Sequence, residues 1–254
     1  LALGTVFHSL RDQLAAQAQA LLKAHGGEWL AAVGLPKKAE HRFEAGFICM
    51  VETTLTSITR AGDELFAKEP VQRLVVEGVT AKNIRRLDKA AWLPRIRALT
   101  LRGELEDDGA EVLAGLALDN LEKLNVVGHE IGSEGAEALA RSTSLGSLKQ
   151  LSLSGNPIGD EGLFALCESG LLASVERLYL SNCELSDAGV RFLLKSEGLT
   201  QLQKLGLADN YLSEDAIMPL IEEPSPTLKR LEIKNTGIGW QLADTLSQRY
   251  SVKR

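Results

Sequence analysis

Apolar residues recur along this chain in a fixed order, and this repetition is the strongest constraint on its fold. Each copy places a leucine-like residue at positions 1, 4 and 6 of the pattern L-x-x-L-x-L, and the copies follow one another every 25 to 27 residues. They begin at Val71, Ile96, Leu121, Leu148, Val175, Leu202 and Leu228. Positions 4 and 6 alternate as in a strand with one buried face. One unit cannot bury that face alone, whereas stacked units can, so the pattern predicts a single array over residues 71–239.

The five later copies extend the pattern to an apolar position 11, with a polar residue or cysteine at position 9. Position 9 holds His129, Asn156, Cys183, Asn210 and Thr236, and Glu104 takes this place in the second copy. The pattern L-x-x-L-x-L-x-x-N/C-x-L resembles the leucine-rich repeat family, and the long repeat with its IGDEG segment resembles the ribonuclease-inhibitor-like class. The resemblance implies an α/β fold: a right-handed leucine-rich repeat solenoid, or horseshoe, with a parallel β-sheet on the concave face and helices on the convex face.

The resemblance also implies that position 9 bonds to the backbone of neighbouring turns as a ladder. Asn156, Asn210 and Cys183 suit that role, so we expect a weaker ladder at the other copies, and His129 is interpreted as a polar turn residue. A helix is predicted after each turn, with N-caps at Gly132, Gly159, Ser186, Ser213 and Gly239. Acidic residues crowd the next two places, where the helix dipole favours them.

Residues 1–70 lack the repeat and are predicted to form an N-terminal capping region of helices and a strand. A helix is expected over residues 5–25, and a strand over residues 46–55 is expected to lead into a second helix. Residues 20–78 also resemble the segment before the repeats in bacterial proteins with a repeat-companion domain, which implies a bacterial source. The strand is interpreted as a degenerate repeat, with Ile48 and Met50 in the places of Leu74 and Val76.

Residues 240–254 are predicted to form a C-terminal capping helix and a solvated basic tail. The apolar positions of this helix would shield the last repeat from water. These positions are Trp240, Leu242, Leu246 and Tyr250.

Composition and motifs argue against several classes of function. The chain has 28 basic and 34 acidic residues and a net charge of −6, so it offers no global positive charge to nucleic acid. No apolar run in the sequence is long enough to span a membrane. Cys49, Cys167 and Cys183 are odd in number and scattered, which favours reduced thiols in the cytoplasm. No nucleotide-binding loop, metal-binding motif or nucleophile elbow occurs, so we predict a protein that is not an enzyme and has no cofactor and no metal.

The repeat register also identifies the side chains of the concave face, at positions 3, 5 and 7 of each copy. Position 3 is basic in five of the seven copies, and Tyr179 lies among small residues at position 5. A tyrosine in such surroundings is expected to act as an aromatic anchor for a partner. The candidate partner-binding residues are Arg73, Arg102, Lys123, Asn125, Ser152, Arg177, Tyr179, Lys204, Arg230 and Glu232.

Two interpretations of the basic position 3 remain open. Either the aliphatic stems lie along the sheet with their charges in water, or the charges attract a protein partner with an acidic surface. The leading hypothesis is a monomeric protein-protein interaction scaffold that binds a protein partner through the concave face. One alternative is a GTPase-activating or other small-GTPase regulatory protein, because a family with this repeat class stimulates a small GTPase. The other is a secreted effector that binds a host protein.

Overall fold

The computed structural model describes residues 20, 26–28, 30–36, 39–44, 47–196 and 201–254. The helix predicted over residues 5–25 therefore lies outside the described residues, apart from Ala20, which is helical. Residues 26–28 and 30–32 are helical as well.

Ten strands in this described part of the chain form one sheet, and their order in the sheet is their order in the sequence. β1 and β2 are antiparallel, and every later pair of neighbours is parallel. The strands are β1 (Glu40–Glu44), β2 (Phe47–Thr54), β3 (Arg73–Thr80), β4 (Ala98–Glu104), β5 (Lys123–Asn125), β6 (Gln150–Ser152), β7 (Arg177–Tyr179), β8 (Lys204–Gly206), β9 (Arg230–Glu232) and β10 (Ser251–Lys253). The predicted α/β fold with a largely parallel sheet is confirmed.

Helical turns connect the parallel strands, as parallel pairing requires a crossover. The α-helices are α1 (Leu55–Lys68), α2 (Glu106–Ala114), α3 (Ser133–Ala140), α4 (Gly159–Glu168), α5 (Asp187–Lys195), α6 (Pro219–Glu222) and α7 (Trp240–Ser247). Shorter 3₁₀ turns span Ile84–Leu87, Leu93–Arg95, Leu171–Ser174 and Glu214–Ala216. Ser186 caps α5 by accepting a hydrogen bond from the backbone N–H of Ala188 at 3.2 Å. Gly132 and Gly239 occupy the N-caps of α3 and α7, as predicted.

Position 4 of the repeat forms a buried row across the sheet. Leu124 pairs with Leu151, Leu151 with Leu178, and Leu178 with Leu205, and these side chains belong to one core together with inward leucines of the helices. Burying each such side chain contributes about 1.5–3 kcal/mol. The helices therefore pack on the face of the sheet that positions 4 and 6 supply.

The turn after each short strand requires a left-handed backbone at position 8. Gly128, Gly155, Asn182, Asp209 and Asn235 occupy this position, with φ between 51° and 72°. Glycine enters this region without steric cost, and asparagine and aspartate tolerate it better than other residues. The turn chemistry of the sequence thus ends strands β5 to β9 at the same point in each repeat.

The position-9 ladder is present where the sequence predicts it. The side-chain oxygen of Asn210 accepts hydrogen bonds from the backbone N–H groups of Cys183 at 2.9 Å and Leu185 at 3.1 Å. Its amide nitrogen donates to the carbonyl oxygens of Leu180 at 2.7 Å and Leu207 at 3.0 Å. Each rung thereby joins two adjacent turns. Asn156 repeats this pattern one copy earlier.

The interpretation of His129 as a polar turn residue is wrong. The side chain is fully buried, and its Nε2 lies 2.9 Å from the carbonyl oxygen of Leu101. Cys183 makes the equivalent contact to Leu153, with 3.3 Å between sulfur and oxygen. The imidazole therefore forms a rung of the ladder, because its Nε2–H reaches the carbonyl that an asparagine amide would reach.

Two of the predicted helix starts also need correction. Helix α4 begins at Gly159 itself, so Ile158 rather than Gly159 is the N-cap. Ser213 is an N-cap as predicted, since its side chain accepts a hydrogen bond from the backbone N–H of Asp215 at 3.3 Å, but it caps a 3₁₀ turn that is followed by the four-residue helix α6. Pro219 lacks a backbone N–H and suits only the start of a helix, so it prevents one continuous helix there.

The first parallel strand is present as predicted, but its register differs. Val51 pairs with Leu74 and Thr53 with Val76, so the alignment of Ile48 and Met50 with these positions is wrong. The register is shifted by an odd number of residues, so each side chain of β2 lies on the face of the sheet opposite to the predicted one. It places Glu52 on the same face as the position-5 residues.

The C-terminal segment differs from the predicted cap in two respects. Leu246 and Tyr250 are buried, but Trp240 is 71% exposed and does not shield the last repeat. The basic tail is not simply solvated, because Ser251–Lys253 forms β10 and pairs in parallel with β9.

Candidate functional site

The face of the sheet opposite the helices, here called the open face, carries the predicted position-3 and position-5 columns. Strand pairing aligns these residues in two rows, since each strand is in register with the next. The first row is Arg73, Ala98, Lys123, Gln150, Arg177, Lys204 and Arg230, and the second is Val75, Thr100, Asn125, Ser152, Tyr179, Gly206 and Glu232. The structure thus brings the predicted residues onto one surface. They differ in whether their charges are paired with other residues of the chain.

Tyr179, Lys204 and Glu232 form a compact cluster across strands β7 to β9. The Nζ of Lys204 lies 2.8 Å from Oε1 of Glu232 and 4.8 Å from the centre of the Tyr179 ring. The hydrogen bond to Glu232 is the largest cause that raises the pKa of Lys204 above its ordinary value. Lys204 therefore stays charged and is bound to Glu232 and Tyr179. Its effect is to hold the tyrosine ring in place.

Gly206 explains why the tyrosine can lie across the sheet. A Cβ atom at this position would lie 3.3 Å from Cδ1 of Tyr179, which is closer than a comfortable carbon contact. The neighbouring Ser152 is buried. The small residues therefore form a shallow floor beside one fixed aromatic ring.

Arg102 is neutralised at the other end of the open face. It forms ion pairs with Glu52 and with Glu77, the latter at 3.1 Å. Glu52 was missed in the sequence because the register of β2 was assigned wrongly. Arg102 is thus held by carboxylates of its own chain.

The remaining candidate residues differ in the contacts that their polar groups form within the chain. Arg177 donates through Nε to Oε1 of Gln150 at 3.1 Å and lies 3.6 Å from a carboxylate oxygen of Glu176. The Nη2 atom of Arg73 lies 3.9 Å from the sulfur of Cys49. The Asn125 side chain accepts a hydrogen bond from the backbone N–H of Val127 at 3.3 Å.

The unpaired positive charges of the open face include Lys123 on the central strand β5 and a group of basic residues at the C-terminal end. Lys123 and Arg230 are exposed, and neither forms an ion pair with another described residue. Lys234, which follows β9, and Lys253 of β10 are exposed too, and Lys253 pairs in register with Glu232. These two lysines were not among the predicted site residues. A strand at residues 251–253 has no repeat signal, so sequence reasoning could not place Lys253 on this face.

Two of the three cysteines are structural thiols in the protein core. Cys167 and Cys183 are buried, and burial raises the pKa of each to about 12, so neither carries reactive thiolate at neutral pH. Among the described residues, no group of three or more histidine, cysteine, aspartate or glutamate side chains could hold a metal ion. Within the same residues, no helix has the length and apolar character to span a membrane.

Comparison with known proteins agrees with the repeat geometry. The leucine-rich repeat family model matches residues 118–140, 147–167 and 172–194, which cover β5 to α5. These parts of the chain are leucine-rich repeats. Such repeats generally serve as scaffolds for protein interaction and are usually not catalytic. A search of the curated proteins found no match.

Two solved structures are similar to this chain. A protein from Bacteroides fragilis, solved by a structural genomics consortium, is 19% identical, with a TM-score of 0.42 over 74% of this chain and 50% of its own. TLR13 in complex with the RNA ssRNA13 is 18% identical, with a TM-score of 0.36 over 72% of this chain and 34% of its own. The chain thus spans half or less of the length of these two proteins.

Proposed function

We propose that this leucine-rich repeat protein binds a protein partner through the open face, with Tyr179 as the anchor. The observation that carries this proposal is the contact of Lys204 with both Glu232 and the Tyr179 ring, which fixes an aromatic side chain above the small residue Gly206. A partner that packs on this ring does not have to order it first. Fixed tyrosines next to shallow pockets are common centres of binding energy in protein interfaces.

The partner is proposed to present an acidic surface to the C-terminal end of the open face. Arg230 and Lys234 lie two residues before and after Glu232 in the sequence, and Lys253 pairs with Glu232 in register. The charge of Glu232 is already compensated by Lys204. The local excess charge is therefore positive although the chain as a whole has a net charge of −6. Complementary charge of this kind mainly increases the rate of association and selects the partner.

The test compares capture by two tyrosine variants. Immobilised wild-type protein, Tyr179→Ala and Tyr211→Ala are each incubated with lysate of the source organism, and bound proteins are quantified by mass spectrometry after cross-linking. Tyr211 is 88% exposed and lies in a loop outside the sheet, so its variant controls for the loss of a surface tyrosine. Truncation of a central interface tyrosine is expected to reduce recovery of a true partner by about tenfold or more.

Support requires a protein whose recovery falls with Tyr179→Ala, stays unchanged with Tyr211→Ala, and cross-links to lysines of the open face. Arg230→Glu combined with Lys234→Glu should slow its association at low salt more than at high salt, since screening weakens exposed charges. Equal recovery by wild type and Tyr179→Ala for all captured proteins would overturn the proposal.

No contact among the described residues specifically favours regulation of a small GTPase or binding of a host protein, so neither is proposed. A panel of small GTPases from the source organism, assayed with and without this protein, distinguishes the first from simple binding.

A further inference from the structure

The helical side of the molecule, opposite the open face, carries an exposed pair of aromatic side chains. Phe164 on α4 and Phe192 on α5 meet edge to face, with ring centres 4.8 Å apart. Phe192 is 40% exposed, and Phe164 is only half-buried. Rings that contact each other on the surface, outside the core, form an apolar patch of the kind found at the centre of protein interfaces.

A groove of about 410 Å³ lies beside this pair, between α3 and α4. Phe164 and Ala165 supply its apolar wall, and the remaining wall consists of Ser133 and four glutamates, Glu134, Glu137, Glu161 and Glu168. Glu137 is paired with Arg141. The other three glutamates form no ion pair within the described part of the chain.

The aromatic wall and the free carboxylates together select one kind of occupant. An apolar ligand would leave the carboxylates desolvated and unpaired, which is costly, and an acidic ligand would be repelled. A segment with an apolar stripe beside lysines or arginines satisfies both walls, and an amphipathic helix presents these two features at a spacing that fits a groove between two helices.

We propose that the groove between α3 and α4 binds a basic amphipathic helix of a second partner. This inference goes beyond the open-face function and does not depend on it. The two sites lie on opposite sides of the sheet and differ in the sign of their free charge. A further consequence rests on the proposed function: with both sites occupied, the protein would bridge an acidic and a basic partner.

The test uses a synthetic amphipathic peptide of about 14 residues, long enough for roughly four helical turns, with leucines on one face and lysines on the other. Fluorescence anisotropy measures its binding to the whole protein at low salt. A peptide of the same pattern with glutamates in place of the lysines is the control ligand. Wild-type protein is expected to bind the lysine peptide and not the glutamate peptide, with affinity that decreases as salt increases.

Matched variants distinguish the groove from a general attraction to an acidic protein. Glu161→Gln with Glu168→Gln, and separately Phe164→Ala, are each expected to weaken binding by about tenfold. Glu222→Gln with Glu223→Gln removes the same charge from exposed positions outside the groove, and Trp240→Ala removes an exposed ring elsewhere; both should bind like wild type. Tyr179→Ala should also bind like wild type, because it changes only the open face.

Three outcomes would overturn the proposal. The first is absence of binding to the lysine peptide at low salt. The second is an equal loss of affinity in the groove pair and in the Glu222 and Glu223 pair, which would indicate attraction by net charge alone. The third is unchanged affinity in Phe164→Ala, since the aromatic wall would then contribute nothing.

Discussion

Asp160, in the first turn of α4, caps the next helix of the array: its Oδ1 accepts a hydrogen bond from the backbone N–H of Ser186 at 2.9 Å. Asp187 does the same for Ser213 at 2.8 Å, and Asp107 accepts from Gly132 at 2.7 Å and Gly135 at 2.9 Å. The acidic residues at the helix starts therefore do more than interact with their own helix dipole. They satisfy free N–H groups of the following repeat, and so they couple the stability of neighbouring repeats.

We expect Asp160→Ala to lower the free energy of unfolding by about 1–2 kcal/mol, because the start of α5 loses a capping acceptor. Urea unfolding followed by circular dichroism measures the change. Glu161→Ala is the matched control, since this adjacent exposed carboxylate accepts no hydrogen bond from the described residues of α5 and should change the stability by less than about 0.5 kcal/mol. Equal effects of the two variants would contradict the capping role.

Leu153→Ala should destabilise the protein by about 2–5 kcal/mol, since the side chain is fully buried at position 6 and its removal leaves a cavity. Val127→Ala changes an exposed position-7 side chain and should be nearly neutral. Denaturant midpoints of both variants check the assignment of inward and outward positions. A neutral Leu153→Ala would show that the repeat register is wrong.

The stability should fall on mild acidification because of His129. Its Nε2 donates to Leu101, so the neutral ring carries its proton there, while the buried Nδ1 has no hydrogen-bond partner among the residues that the structure describes. Burial lowers the pKa of His129 below its ordinary value of 6.5. The unfolded chain then binds a proton that the folded chain does not, so stability is constant above about pH 6.5 and decreases as the pH falls towards the lower folded pKa.

His129→Asn tests this, because asparagine is the residue that fills the same rung at Asn156 and Asn210. Urea midpoints at about pH 7.5 and 5.5, on either side of the ordinary histidine pKa, give the pH-dependent loss of stability for each protein. The loss should be larger for wild type than for the variant. The same loss in both proteins would assign the pH dependence to other groups.

Gly206→Ala is expected to move the Tyr179 ring while leaving the fold intact, since its Cβ would contact Cδ1 of the ring at 3.3 Å. Thermal unfolding should change little, within about 1 kcal/mol, whereas capture of an open-face partner should decrease as in Tyr179→Ala. The near-ultraviolet circular dichroism of the tyrosine reports the altered ring environment. Unchanged capture together with an altered spectrum would show that the position of the ring does not matter for binding.

The sequence alone determined the period of the repeat, the inward positions and the columns of the open face. These depend on local chemistry, since alternating apolar residues must face one core and each turn needs a residue that tolerates a left-handed backbone. It also predicted most ladder positions, but it misjudged His129, because residue type alone does not show that an imidazole can reach the carbonyl of Leu101.

Only the tertiary structure decided which charges of the open face are free. Lys204 is bound to Glu232 and Arg102 to Glu52 and Glu77, and these pairs join residues on different strands. Such pairs depend on strand register, which the repeat pattern specifies inside the array but not at β2 or β10, where the pattern ends. The alignment of the strands at these two ends places Glu52 beside Arg102 and Lys253 beside Glu232, and so it decides part of the charge distribution of the open face.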